Sequence, residues 1–79
     1  MSLRPRVRAG LEAHGLDVGA GDTPEALRER LNDVYVAEVK ALRQRRVAGE
    51  IAPRDYADAV RALRDRYPLL GLPLSMWEE

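Results

Sequence analysis

"RRVAGEIAPRDYADAV", residues 45–60, sets a glycine, an isoleucine and a proline between two stretches of helical periodicity. Upstream, Leu27, Leu31, Val34, Tyr35, Val39 and Leu42 recur at spacings of three, four and seven, the apolar stripe of an amphipathic helix. Downstream, Tyr56, Val60, Leu63 and Tyr67 follow the same rule until Pro68 ends it. Between the two, Gly49 can take the positive φ that stops a helix, Pro53 suits the first turn of the next, and Ile51 is placed to tuck under the corner. A connection this short turns the second helix back against the first, so their stripes face each other. The expected fold is all-α: an antiparallel helical hairpin with helices at about 24–48 and 53–67.

The flanks extend this plan. Residues 4–14 read as a short first helix, with Pro5 in its first turn and Leu3, Val7, Leu11 and His14 on one face. Gly15 fits the left-handed residue beyond a helix end, and "LDVGAGDT" (16–23) reads as loop. "DTPEALRERL" then starts the long helix: Asp22 or Thr23 accepts free N–H groups, Pro24 fits the first turn, and Glu25 complements the positive end. In "PLLGLPLSMWEE" (68–79), Gly71 and Pro73 interrupt Leu69, Leu70, Leu72, Leu74, Met76 and Trp77, which predicts an extended apolar tail. Residues 1–79 make one small helical domain.

A chain of 79 residues buries only about 60% of the surface its unfolded form exposes, and such a core rarely contributes more than about 3–5 kcal/mol. The absence of cysteine excludes a disulfide framework and a thiolate metal site, and a single histidine excludes a multi-histidine cluster. The 13 basic and 13 acidic side chains cancel, so no whole-protein field draws in nucleic acid or anionic lipid. No apolar run approaches the length of a membrane span and no signal-peptide core is visible, which points to a soluble cytoplasmic protein without a membrane partner. Arginine far exceeds lysine, Lys40 being the only one, a bias that fits a GC-rich bacterial genome.

The inventory for catalysis is poor: His14 is alone, Ser2 and Ser75 lack a partner base, and no Gly-rich loop leads to a lysine. The chain is therefore read as no enzyme, with no cofactor and no metal. His14 reads as the end of a helix, where the dipole favours an imidazolium. Asp17, Asp22 and Glu25 lack the alternating oxygens of a calcium loop, because Val18, Gly19, Ala20 and Gly21 stand between them. Arg43, Arg45 and Arg46 end the long helix and Arg4, Arg6 and Arg8 crowd the first, so phosphate contact is one reading. The other is the helix dipole, since Glu25, Glu29 and Asp33 come early in the long helix and the arginines late.

"VKALRQRRVAGEIAPRDYADAVRALRDRY" (39–67) resembles the SHOCT (short C-terminal) domain, a small helical hairpin patterned as leucine-rich helix, glycine, isoleucine, cap, acid-aromatic pair and second amphipathic helix. Leu42, Gly49, Ile51, Asp55, Tyr56 and Leu63 carry the likeness, and Ala52–Pro53 stands where that family has a threonine-like cap. The resemblance implies an oligomerisation or interaction module and brings no catalytic residue.

The expected function is protein binding without catalysis, either self-association as a homodimer or docking on a larger partner. Tyr35, Val39 and Leu42 of the long helix and Leu72, Leu74, Met76 and Trp77 of the tail are the expected contacts, because aromatic, Met and apolar surface is enriched at interfaces. The alternative is a nucleic-acid-binding accessory protein acting through Arg4, Arg6, Arg8, Arg43, Arg45 and Arg46.

Overall fold

The computed structural model describes residues 2–79. Three α-helices, α1 (Pro5–Ala13), α2 (Pro24–Val47) and α3 (Pro53–Asp65), are followed by two 3₁₀ turns, Pro68–Gly71 and Leu74–Met76. No strand forms among the described residues beyond an isolated antiparallel bridge between Leu3 and Glu78. The all-α hairpin is as expected, with α3 two residues shorter because Tyr67, preceding Pro68, is pushed off helical geometry to φ −123° and ψ 56°.

Local chemistry sets the helix boundaries. Each helix opens on a proline, whose missing N–H would have had no partner there. Thr23 caps α2 by accepting the Ala26 N–H at 3.2 Å. Asp22 takes no part in that cap; its carboxylate accepts the Gly19 N–H at 2.8 Å and faces Arg30 at 3.6 Å, so it braces the loop instead. Gly15 and Gly49 end α1 and α2 at φ +79° and +82°. Beyond them the Leu16 N–H donates to the Leu11 carbonyl at 3.1 Å and the Glu50 N–H to the Arg45 carbonyl at 2.9 Å, the wrap that satisfies the last turn of a helix. A Cβ at either glycine meets nothing nearby, so their φ and not lack of room calls for glycine. Ile51, at the corner, is half-buried.

The core gathers at one end of the molecule, its base. Leu3, Val7 and Leu11 from the α1 segment meet Leu16 of the loop, Leu27 and Leu31 of α2, Leu63 of α3, and Tyr67, Leu69 and Trp77 beyond it. The tail is not extended as the sequence suggests. Its first 3₁₀ turn drops Leu69 onto α1 at Gly10, where a Cβ would come within 2.9 Å of the Leu69 side chain. Its second turn delivers Trp77 to full burial, with the indole N–H donating to the Leu72 carbonyl at 3.1 Å. Trp77 is therefore a core residue and not the surface contact expected of it, because the small core lacks any other group of that volume. The Arg4 N–H donates to the Trp77 carbonyl and the Glu79 N–H to the Ser2 carbonyl, both at 3.0 Å, so the two ends of the chain clasp each other.

Beyond the base, α2 and α3 continue as an arm. The radius of gyration is 14.6 Å and the extents are 45 × 18 × 17 Å, against a radius of about 12 Å for a compact chain of this length. The excess is the arm. No residue between Leu31 and Leu63 is fully buried.

Removing a buried tryptophan side chain costs about 3–5 kcal/mol, as much as the whole reserve of about 3–5 kcal/mol available to a core of this size. Trp77→Ala is therefore expected to abolish the cooperative thermal transition seen by far-ultraviolet circular dichroism. A wild-type midpoint in that variant would show that the base does not depend on the indole.

Candidate protein-interaction surface

Where arm meets base, Tyr67 joins three elements. Its ring stacks on His14 with centroids 4.1 Å apart and planes 17° apart, and meets Tyr35 edge-on at 5.2 Å. His14 does occupy the end of α1, as expected, but its ring reaches the end of another helix, with Nε2 2.7 Å from the Arg66 carbonyl. A carbonyl only accepts, so Nε2 carries the proton in this contact. The Tyr67 hydroxyl donates to the Glu38 carboxylate on α2. Burial, the accepting carboxylate and its negative charge together push the Tyr67 phenol from 10.0 up to about 12, against a smaller opposing effect of Arg66.

At the other end of the arm the Arg46 guanidinium lies over the Tyr56 ring, 5.2 Å from its centroid. The pairs Glu38–Tyr67 and Arg46–Tyr56 fix an antiparallel register for α2 and α3. That register opens a groove of about 390 Å³, in which Glu38, Ala41, Leu42 and Arg45 of α2 face Ala59, Ala62, Leu63 and Arg66 of α3. Both quartets have offsets of zero, three, four and seven, so each is one face of its helix. Alanines keep the walls low, Leu42 and Leu63 form the floor, and charged groups stand at the ends: Arg45 toward the corner, Glu38 and Arg66 toward the base. Arg45 forms no ion pair among the described residues.

On the opposite flank a second groove is lined by Asn32 and Tyr35 of α2 together with Arg64, Asp65, Tyr67, Pro68, Leu70 and Gly71. It is the more polar in lining residues, and Tyr67 at its floor is already committed to His14, Tyr35 and Glu38.

The structure separates the residues that sequence reasoning groups. Tyr35, Val39 and Leu42 lie along the arm, half-buried and packed against the core cluster. Leu72 and Leu74 are half-buried at the base, Met76 is 43% exposed there, and Trp77 is sealed inside. The tail and the long helix therefore do not form one continuous interface. The six arginines are divided too: Arg4, Arg6 and Arg8 belong to the base, and Arg43, Arg45 and Arg46 to the end of α2. From Leu31, packed beside α1, to Arg43 is about 18 Å along the helix. Arg4 is held by the Glu78 carbonyl at 3.1 Å, and Arg46 by Tyr56. Two valines stand out from the arm, Val36 at 36% and Val47 at 80% exposure.

Sequence reasoning missed Glu38, Ala41, Ala59, Ala62 and Arg66 as a set. A signal was there: "ALRQR" at 41–45 and "ALRDR" at 62–66 repeat one pattern on the two helices that face each other. Among the described residues no group of three or more acids and histidines is placed to hold a metal ion, and no helix is long and apolar enough to cross a membrane. No protein-family model, curated protein or solved structure matches this chain.

The Tyr67 bond to Glu38 requires the protonated phenol. A group whose value rises from 10.0 in the unfolded chain to about 12 in the folded one binds more protons when folded, so its stabilisation is complete below pH 10 and lost as pH climbs toward 12. Absorbance titration near 295 nm should show one phenol ionising only near pH 12. Tyr67→Phe should remove that component; its survival in the variant would assign it to another tyrosine.

Proposed function

We propose that this chain is a non-enzymatic protein-interaction module whose working surface is the arm of the hairpin. One observation carries the reading: the apolar stripes continue through Val39, Leu42, Ile51, Tyr56 and Val60, yet all five are only half-buried and nothing between Leu31 and Leu63 is fully buried. Helices in a small fold normally gain their stability by burying such a face. Here the base closes its own core with α1 and the tail, while the arm has only two helices to cover each other. An apolar surface so placed fits contact with another polypeptide. The likeness of residues 39–67 to the SHOCT hairpin, which implies an interaction or oligomerisation module, points the same way.

This reading moves the contact region away from the tail and keeps Tyr35, Val39 and Leu42 within it. It also requires the base to remain intact during binding, since the tail is part of the core. Deleting residues 69–79 would consequently remove Leu69 and Trp77 and test folding, not recognition.

A photo-cross-linking side chain separates the two ends of the molecule. Placed at exposed Ala41 on the arm, it is expected to yield adducts with a polypeptide in cells expressing the chain, and placed at exposed Ala13 on α1 it is expected to yield background only. Absence of adducts at Ala41, or equal yields at both positions, would overturn the assignment of the arm.

A further inference from the structure

We propose that the occupant of the groove between α2 and α3 is the same groove of a second copy of this chain, packed in the opposite direction, so that Glu38 of each copy meets Arg45 of the other. The inference rests on the arm being an interaction surface and names its partner. Glu38 and Arg45 stand seven residues apart on one face of α2, with Ala41 and Leu42 midway between them. A twofold axis crossing α2 at that midpoint returns Arg45 of one copy onto Glu38 of the other, and Ala41 onto Leu42. This is the self-complementarity that an isologous interface demands.

The same operation on α3 brings Arg66 opposite Ala59, whose methyl carries no charge, and Ala62 opposite Leu63. Every charged residue of the groove thus meets either an opposite charge or an apolar group. Glu38 remains able to pair, because one carboxylate oxygen accepts the Tyr67 hydroxyl and the other has acceptor capacity of its own. The alanines let the two helix pairs approach closely, and the result is a four-helix bundle over the part of the molecule that has no third layer.

The wider charge distribution selects the opposite over the same direction. Acidic residues gather at the start of α2 (Glu25, Glu29, Asp33) and arginines at its end (Arg43, Arg45, Arg46). Same-direction packing would bring the two arginine-rich ends together, whereas opposite packing parts them and sets Arg45 against Glu38, the acidic residues 25–33 falling beyond the counterpart's corner. The overlap is short: the arm portion of α2, about 12 residues, spans about 18 Å. Such a patch falls below the roughly 1,200 Å² of a stable specific interface, so the dimer is expected to be weak and dependent on concentration.

Sedimentation equilibrium on the full chain up to about 1 mM should show a monomer–dimer equilibrium that weakens with salt. Arg45→Glu and Glu38→Arg each set like charges against each other and should weaken association at least about tenfold. An equimolar mixture of the two variants restores both pairs and should recover a heterodimer. Circular dichroism controls for folding, and Arg45→Glu, which breaks no ion pair of the monomer, keeps the test sound even if Glu38→Arg disturbs Tyr67. A wild-type chain that stays monomeric, undiminished association of Arg45→Glu, or a folded mixture that remains monomeric would each overturn the dimer. A monomeric chain that still cross-links through Ala41 to a different polypeptide overturns the second copy as occupant and leaves the interaction reading standing.

Discussion

The indole of Trp77 can enter the core because its polar edge is satisfied on the way in. Its N–H finds the Leu72 carbonyl, five residues back, and its own carbonyl takes the Arg4 N–H from the opposite end of the chain. An unpaired indole N–H in so small a core would forfeit much of what its burial contributes. The two 3₁₀ turns are the means: the first seats Leu69 over Gly10, the second turns the backbone so that Trp77 points inward. Once this closure is made, α1, the loop residue Leu16 and the first half of α2 share one core with the end of α3. The arm follows as what is left over, two helices with no third layer.

The parts of this arrangement fixed by local chemistry are legible from the residues. Gly15 and Gly49 adopt positive φ, Thr23 caps, the three prolines open helices, and the stripes of α2 and α3 face each other. Each depends on neighbours within about one helical turn, where spacing and residue type carry the information. The tail is illegible for the opposite reason. Its apolar residues are broken by Gly71 and Pro73, which locally suggests an extended strand of contacts, but its conformation is decided by Gly10, Arg4 and the cavity left by α1. Those residues lie at the other end of the chain.

The candidate surface is legible in part. Tyr35, Val39 and Leu42 do lie on the arm, whereas the arginines are divided in sequence by helix and in space by the length of α2. The groove requires knowledge of register between α2 and α3, which the corner alone does not supply. It is set by Tyr67 on Glu38 and by Tyr56 under Arg46, two contacts between residues 29 and 10 positions apart. Side chains that look like a dipole pattern along one helix become a charged pair of ends once the second helix is laid beside it.

The clasp between Ser2 and Glu79 gives the molecule a polarity. Both ends of the chain leave from the base, on the side of α1, while the corner at Gly49 stands at the far end of a body 45 Å long. Any segment joined to either end is therefore attached at the base, and the two attachments lie side by side. The hairpin is thus geometrically a cantilever: anchored at a single root, with its free length available from all sides.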